Sequence, residues 1–198
     1  MPRILTLMLI AALFCLPQQA KADDVLDAIE QAVTLYKQGD FTGAAGNLEY
    51  AAQLVRQQKG GVLESFLPEP LAGWTASDPE SSSLGGMFMG GGVSAERSYQ
   101  KEGETDRIKV SIVTDSPMLQ GMLMMFSNPM LVASSGAKME TIAGQRAVVD
   151  YKPGNRQGEV TIAVANRILV KVEGSNVERE DLVAYVGAMD FAGLAQME

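Results

Sequence analysis

Arg107-Ile108-Lys109-Val110-Ser111-Ile112-Val113-Thr114-Asp115 alternates between apolar and polar side chains through its middle. Ile108, Val110 and Ile112 fall on one side of an extended chain, with Lys109 and Ser111 on the other. That period of two predicts a strand with one buried and one wet face. Working upstream, Glu102-Gly103-Glu104-Thr105-Asp106 is a solvated acidic turn, and Val93–Lys101 supplies the partner strand of a hairpin. Downstream, Ser116-Pro117 opens a helix carrying Met118, Leu119, Met122, Met125 and Phe126, since proline is tolerated in a first turn. Asn128-Pro129 interrupts it, because the residue before proline is pushed out of helical geometry. A short helix to about Ser134 follows, and Gly136 ends it.

Three or four more strands are predicted, at Ala137–Ile142, Arg146–Tyr151, Glu159–Ala165 and Ile168–Glu173. Their links, Ala143-Gly144-Gln145, Pro153-Gly154-Asn155-Arg156 and Asn166-Arg167, are too short for crossovers and dictate an antiparallel meander. Val177–Met189 closes the chain as an amphipathic helix, with acidic residues in its first turn where the helix dipole favours them. The order of elements is α+β: an antiparallel sheet of about six strands packed with two or three helices.

Upstream of the sheet the period changes to three and four. Leu26, Ile29, Val33 and Tyr36 predict one helix, and Gly39 caps it. Asp40 caps a second helix, whose buried stripe is expected at Phe41, Ala44, Leu48, Ala51 and Val55 and whose end is expected at Gly60-Gly61. A Gly-Asp turn makes the pair an antiparallel hairpin over residues 23–61. Residues 62–92 form a transition. Its proline-stiffened part runs from Leu67 to Trp74, the latter an expected core anchor, and a mobile glycine-rich loop, Gly85–Gly92, carries Met87, Phe88 and Met89. The sheet domain occupies 93–198, beginning in effect at about residue 66.

Leu35-Tyr36-Lys37-Gln38-Gly39-Asp40-Phe41, preceded by Ala32 and followed by Ala44, Leu48 and Ala51, resembles one tetratricopeptide repeat. Gln31 departs from the apolar residue usual in that family, and no proline closes the unit. One such repeat cannot bury its own core, so the resemblance implies packing on another surface and a protein-binding role. Residues 66–195, with the Gly73-Trp74 start, the meander and the closing helix, resemble the Mog1/PsbP-like sandwich. That resemblance implies a non-enzymatic accessory or assembly role.

Residues 1–22 read as a cleavable export signal: a positive start at Arg3, an apolar run from Ile4 to Leu16, and Ala20-x-Ala22 before the expected cut. The apolar run is too short to span a bilayer as a mature helix, and no integral membrane segment is expected beyond it. Cys15, the only cysteine, leaves with the signal, so the remaining chain suits an oxidising periplasm. The whole chain carries 16 basic and 24 acidic residues. Loss of Arg3 and Lys21 takes the net charge from −8 to −10, a surface that repels nucleic acid.

The chain has no histidine. Without histidine and a mature cysteine, Ser-His-Asp triads, Cys-His pairs and the usual zinc sites are excluded. Ser98/Lys101 and Ser135/Lys138 have Ser-x-x-Lys spacing but lack the partner motifs of that nucleophile. No cofactor is expected. The unusual enrichment is methionine. Met118, Met122 and Met125 share a helical face that serves as core, as an adaptable apolar groove with Met87 and Met89, or as a soft Cu(I) site. Tyr36, Phe41 and Tyr50 of the hairpin are the candidate partner contacts. The expectation is a periplasmic, non-enzymatic interaction or assembly factor that docks another exported protein. The alternative is a binder of an apolar ligand, a lipid or Cu(I).

Overall fold

The structure, a computed structural model, describes residues 23–83, 92–116, 118–126 and 128–197. It is α+β, and it divides into two compact units at Ala51 and Ala52, inside one long helix.

The first unit is a helical hairpin: α1, Asp24–Lys37, and the first half of α2, Phe41–Glu64. The Asp23 carboxylate caps α1 by accepting from the Val25 N–H at 3.1 Å. Gly39 turns the chain at φ +85°, and the Asp40 carboxylate accepts from the Gly43 N–H at 2.9 Å to start α2. The buried residues of the hairpin are small ones, Ala28 and Ala32 on α1 and Ala44 and Ala51 on α2. The expected buried stripe is therefore found only at its small members, Ala44 and Ala51, while Phe41, Leu48 and Val55 are exposed.

The second unit begins with the rest of α2. Gly60-Gly61 does not stop that helix, which runs to Glu64. A Cβ at Gly60 would come within 2.9 Å of the Ser81 Cβ, so glycine there lets the helix lie against the sheet edge. The helix ends in tightened turns, Ser65 N–H to Val62 C=O and Phe66 N–H to Leu63 C=O, before Pro68 and Pro70 forbid continuation.

Among the described residues the sheet has eight strands, two more than the sequence pattern predicts. They are β1 (Trp74–Ala76), β2 (Glu80–Ser83), β3 (Val93–Lys101), β4 (Arg107–Thr114), β5 (Lys138–Ile142), β6 (Gln145–Lys152), β7 (Gln157–Val164) and β8 (Ile168–Ser175). The order is β1-β3-β4-β8-β7-β6-β5, antiparallel throughout, and β2 also pairs with β3. The additional strands are β1 and β2, two pieces of one interrupted edge. Between them the Ser77 N–H still donates to the Ser98 carbonyl at 2.9 Å, and Arg97 Nε donates to the Ser77 carbonyl at 2.9 Å. The β7–β8 turn is centred on Ala165-Asn166, both at positive φ, one residue earlier than the spacing predicts.

One face of the sheet is the core. Ile108, Val110 and Ile112 join Val160, Ile162, Val170 and Val172 there, all buried. Helices α5 (Arg179–Gly187) and α6 (Phe191–Gln196), with Leu63, Leu67 and Trp74, close this face. The expected closing helix Val177–Met189 is found as α5, and α6 follows it as a further helix that Asp190 starts by accepting from the Gly193 N–H at 2.9 Å. On the other face, α3 (Met118–Phe126) and α4 (Pro129–Ser134) cover a smaller core of Leu119, Phe126, Val132, Val148 and Leu169. Among the described residues, no helix is long and apolar enough to cross a membrane.

Candidate functional site

The hairpin keeps its small side chains and presents its large ones. Leu26, Ile29, Val33 and Tyr36 of α1 and Phe41 and Leu48 of α2 are all exposed, Tyr36 and Phe41 at 65% each. At about 100° per residue the four on α1 span roughly a quarter of a turn, and Phe41 and Leu48, seven apart, share a line on α2. Each stripe is rotated away from the buried alanines of its helix. Because the helices are antiparallel, both rotations point to the same side. The rings of Tyr36 and Phe41 meet there edge-on, with centroids 5.6 Å apart. The product is one continuous apolar face on a two-helix unit.

The structure thus brings together two of the three expected contacts. Tyr50 is exposed, but it follows Phe41 by nine residues, about half a turn round the helix. Leu26, Ile29, Val33 and Leu48 belong to the face and were legible only as helical periodicity, which cannot say which stripe is covered. Gly43 also matters here. A Cβ at that position would meet the Asp40 carboxylate and the Leu35 side chain, so glycine preserves the cap of α2.

The methionines are distributed differently. Met118, Met122 and Met125 lie on α3, but their side chains fall outside the described residues, as do Met87 and Met89 altogether. Met124 and Met130 of the same helix pair are 73% and 80% exposed. Leu119, Phe126 and Val132 fill the space between these helices and the sheet.

The remaining sheet face is polar and already neutralised. Lys109 pairs with Glu96 at 2.7 Å, and Lys171 sits between Glu159 at 3.0 Å and Glu173 at 2.8 Å. Burial pulls the Lys171 ammonium down, but the two carboxylates outweigh it and hold its pKa above the ordinary lysine value. A shallow cavity of about 580 Å³ lies at the end of this face, lined by Thr75, Ser98, Gln100, Arg107, Lys109 and Glu173 among others. The acidic turn between β3 and β4 is not wholly solvated. Asp106 is buried and paired with Arg156 at 3.2 Å, with Lys101 at 3.9 Å. Ser98 and Lys101 alternate across β3, and Ser135 Oγ donates to the Val132 carbonyl, so neither Ser-x-x-Lys pair has a bonded lysine. Among the described residues, no three carboxylate, histidine or cysteine side chains converge as a metal site.

Comparison with family models, with curated proteins and with solved structures finds no match to this chain.

Proposed function

We propose that this protein is an exported, non-enzymatic interaction or assembly factor that docks a polypeptide through the apolar face of its N-terminal hairpin. The observation that carries this reading is the exposure of Leu26, Ile29, Val33, Tyr36, Phe41 and Leu48 on one side of a unit whose buried residues are alanines. Contiguous apolar surface of this kind marks an interaction site far more often than an idle one. The tetratricopeptide-like hairpin and the Mog1/PsbP-like reading of the sheet belong to the same proposal, as does the periplasmic address. In it the sheet unit is a scaffold: its open face is occupied by mutually paired charges rather than by groups held ready for chemistry.

The test is a photo-crosslinking residue placed at position 48 or at position 50 of the full chain in its own host. A covalently joined polypeptide from position 48, absent from position 50, is the expected result. Equal yields from both positions, or none from position 48, overturn the reading.

A further inference from the structure

We infer that the polypeptide covering this face is a second copy of the same hairpin, related by a two-fold axis, so that four helices enclose one apolar core. The inference rests on the docking reading above and names its partner.

Size is the first argument. Leu26, Ile29, Val33, Tyr36, Phe41 and Leu48 are each exposed by 39–65%, a patch of several hundred Å², the order of the ~800 Å² that each partner gives to a stable interface. A small ligand would cover only a fraction of that area.

Spacing is the second. Leu26, Ile29, Val33 and Tyr36 step by three, four and three, and Phe41 and Leu48 by seven. This is the a/d seam by which helices mesh with helices. Tyr36 and Phe41 close one end of it. A lone repeat-like hairpin lacks a neighbour to stack on, and a two-fold copy supplies one with an identical seam.

Charge is the third. The six face residues are uncharged, and the nearest flanking charges on α1 are Glu30 and Lys37, of opposite sign and two turns apart. Antiparallel pairing of two copies brings Glu30 of one towards Lys37 of the other. The hairpin's aspartates are placed elsewhere: Asp23, Asp24 and Asp27 begin α1, and Asp40 begins α2. The face itself is uncharged and offers a strongly charged partner little to pair with.

Sedimentation equilibrium of the full protein, purified from its own host without detergent, tests this. The wild type should change from monomer to dimer mass as concentration rises. Leu48→Glu should raise the dimer dissociation constant at least ~30-fold, as loss of a central apolar contact does, and Val33→Glu should do the same. Tyr50→Glu, on the opposite side of α2, should leave it unchanged. The near-ultraviolet signal of Trp74 reports that the sheet unit of each variant is folded. A wild type that stays monomeric at every concentration overturns the inference, as does a dimer indifferent to both glutamates. If the wild type is monomeric while position 48 still crosslinks to a different polypeptide, the docking reading stands and the two-fold copy falls. If position 48 crosslinks to nothing, both fall.

Discussion

The rings of Tyr99 and Tyr185 meet with centroids 4.5 Å apart, joining strand β3 to helix α5 at the centre of the main core. Both are buried. Tyr99 Oη donates to the Pro68 carbonyl at 2.6 Å, and the Leu71 N–H donates to Tyr185 Oη at 3.5 Å. The Trp74 ring meets Tyr185 edge-on at 5.4 Å. The proline-stiffened segment is thereby tied to the sheet and to α5 by polar groups that would otherwise be buried without partners.

This arrangement predicts alkaline lability. Burial raises both phenols above the ordinary tyrosine value, Tyr185 to about 12 and Tyr99 further, against the opposing charge of Arg97. A raised folded pKa means that the stabilisation is complete below the unfolded tyrosine value of about 10. It is lost as pH climbs from there through the folded values, because the unfolded chain releases the protons first. Denaturation midpoints measured against pH should be level to about pH 10 and then fall, and Tyr185→Phe should make the fall shallower. A decline of the same steepness in Tyr185→Phe contradicts the assignment.

Two adjacent glycines of α2 should respond in opposite directions. Gly61 has nothing within 4 Å of a notional Cβ, whereas Gly60 lies against Ser81. Gly61→Ala should stabilise by up to about 1 kcal/mol, through helix propensity alone. Gly60→Ala should lose that gain and cost about 1–3 kcal/mol as overpacking. Thermal melts of the two variants decide it, and equal shifts contradict the packing of α2 on β2.

This pair also explains what the sequence pattern left illegible. Glycines are read as stops, yet here one permits a close approach and the helix passes through both. β2 escaped notice because Glu80-Ser81-Ser82-Ser83 is exposed at every position and so has no alternation to detect. The β4 alternation, by contrast, was legible because one of its faces is buried throughout. In the hairpin, periodicity located the helices but assigned large residues to the inside. The residues that are buried are instead the small ones, Ala28, Ala32, Ala44 and Ala51. Tyr36 and Phe41 meet because they flank the turn, whereas Tyr50 lies about half a turn round the helix from Phe41.

Asp106 provides a third prediction. It is buried with Arg156 at 3.2 Å, and Arg156 Nε also reaches Glu178 at 2.9 Å. Arg156→Ala leaves the carboxylate with Lys101 alone, at 3.9 Å. A loss of about 2 kcal/mol is expected, the cost of stranding a buried acceptor. Asp106→Asn in the same background should recover part of it, since the uncompensated charge is gone. A double variant no better than Arg156→Ala contradicts the account.

The burial of Ala44 predicts intolerance to size. Ala44→Leu should cost about 1–3 kcal/mol by overpacking a buried position, while Tyr50→Ala, exposed and off the face, should fall within about 0.5 kcal/mol of wild type. Thermal melts read both, and a tolerated leucine at position 44 contradicts the tight burial of this alanine.

The most direct measurement is native mass spectrometry of the wild-type protein released gently from its own host, beside the Leu48→Glu variant. The account predicts a mass equal to two copies of the chain for the wild type and one copy for Leu48→Glu. A wild type that flies only as a bare single chain, or with a small molecule in place of a polypeptide, contradicts it.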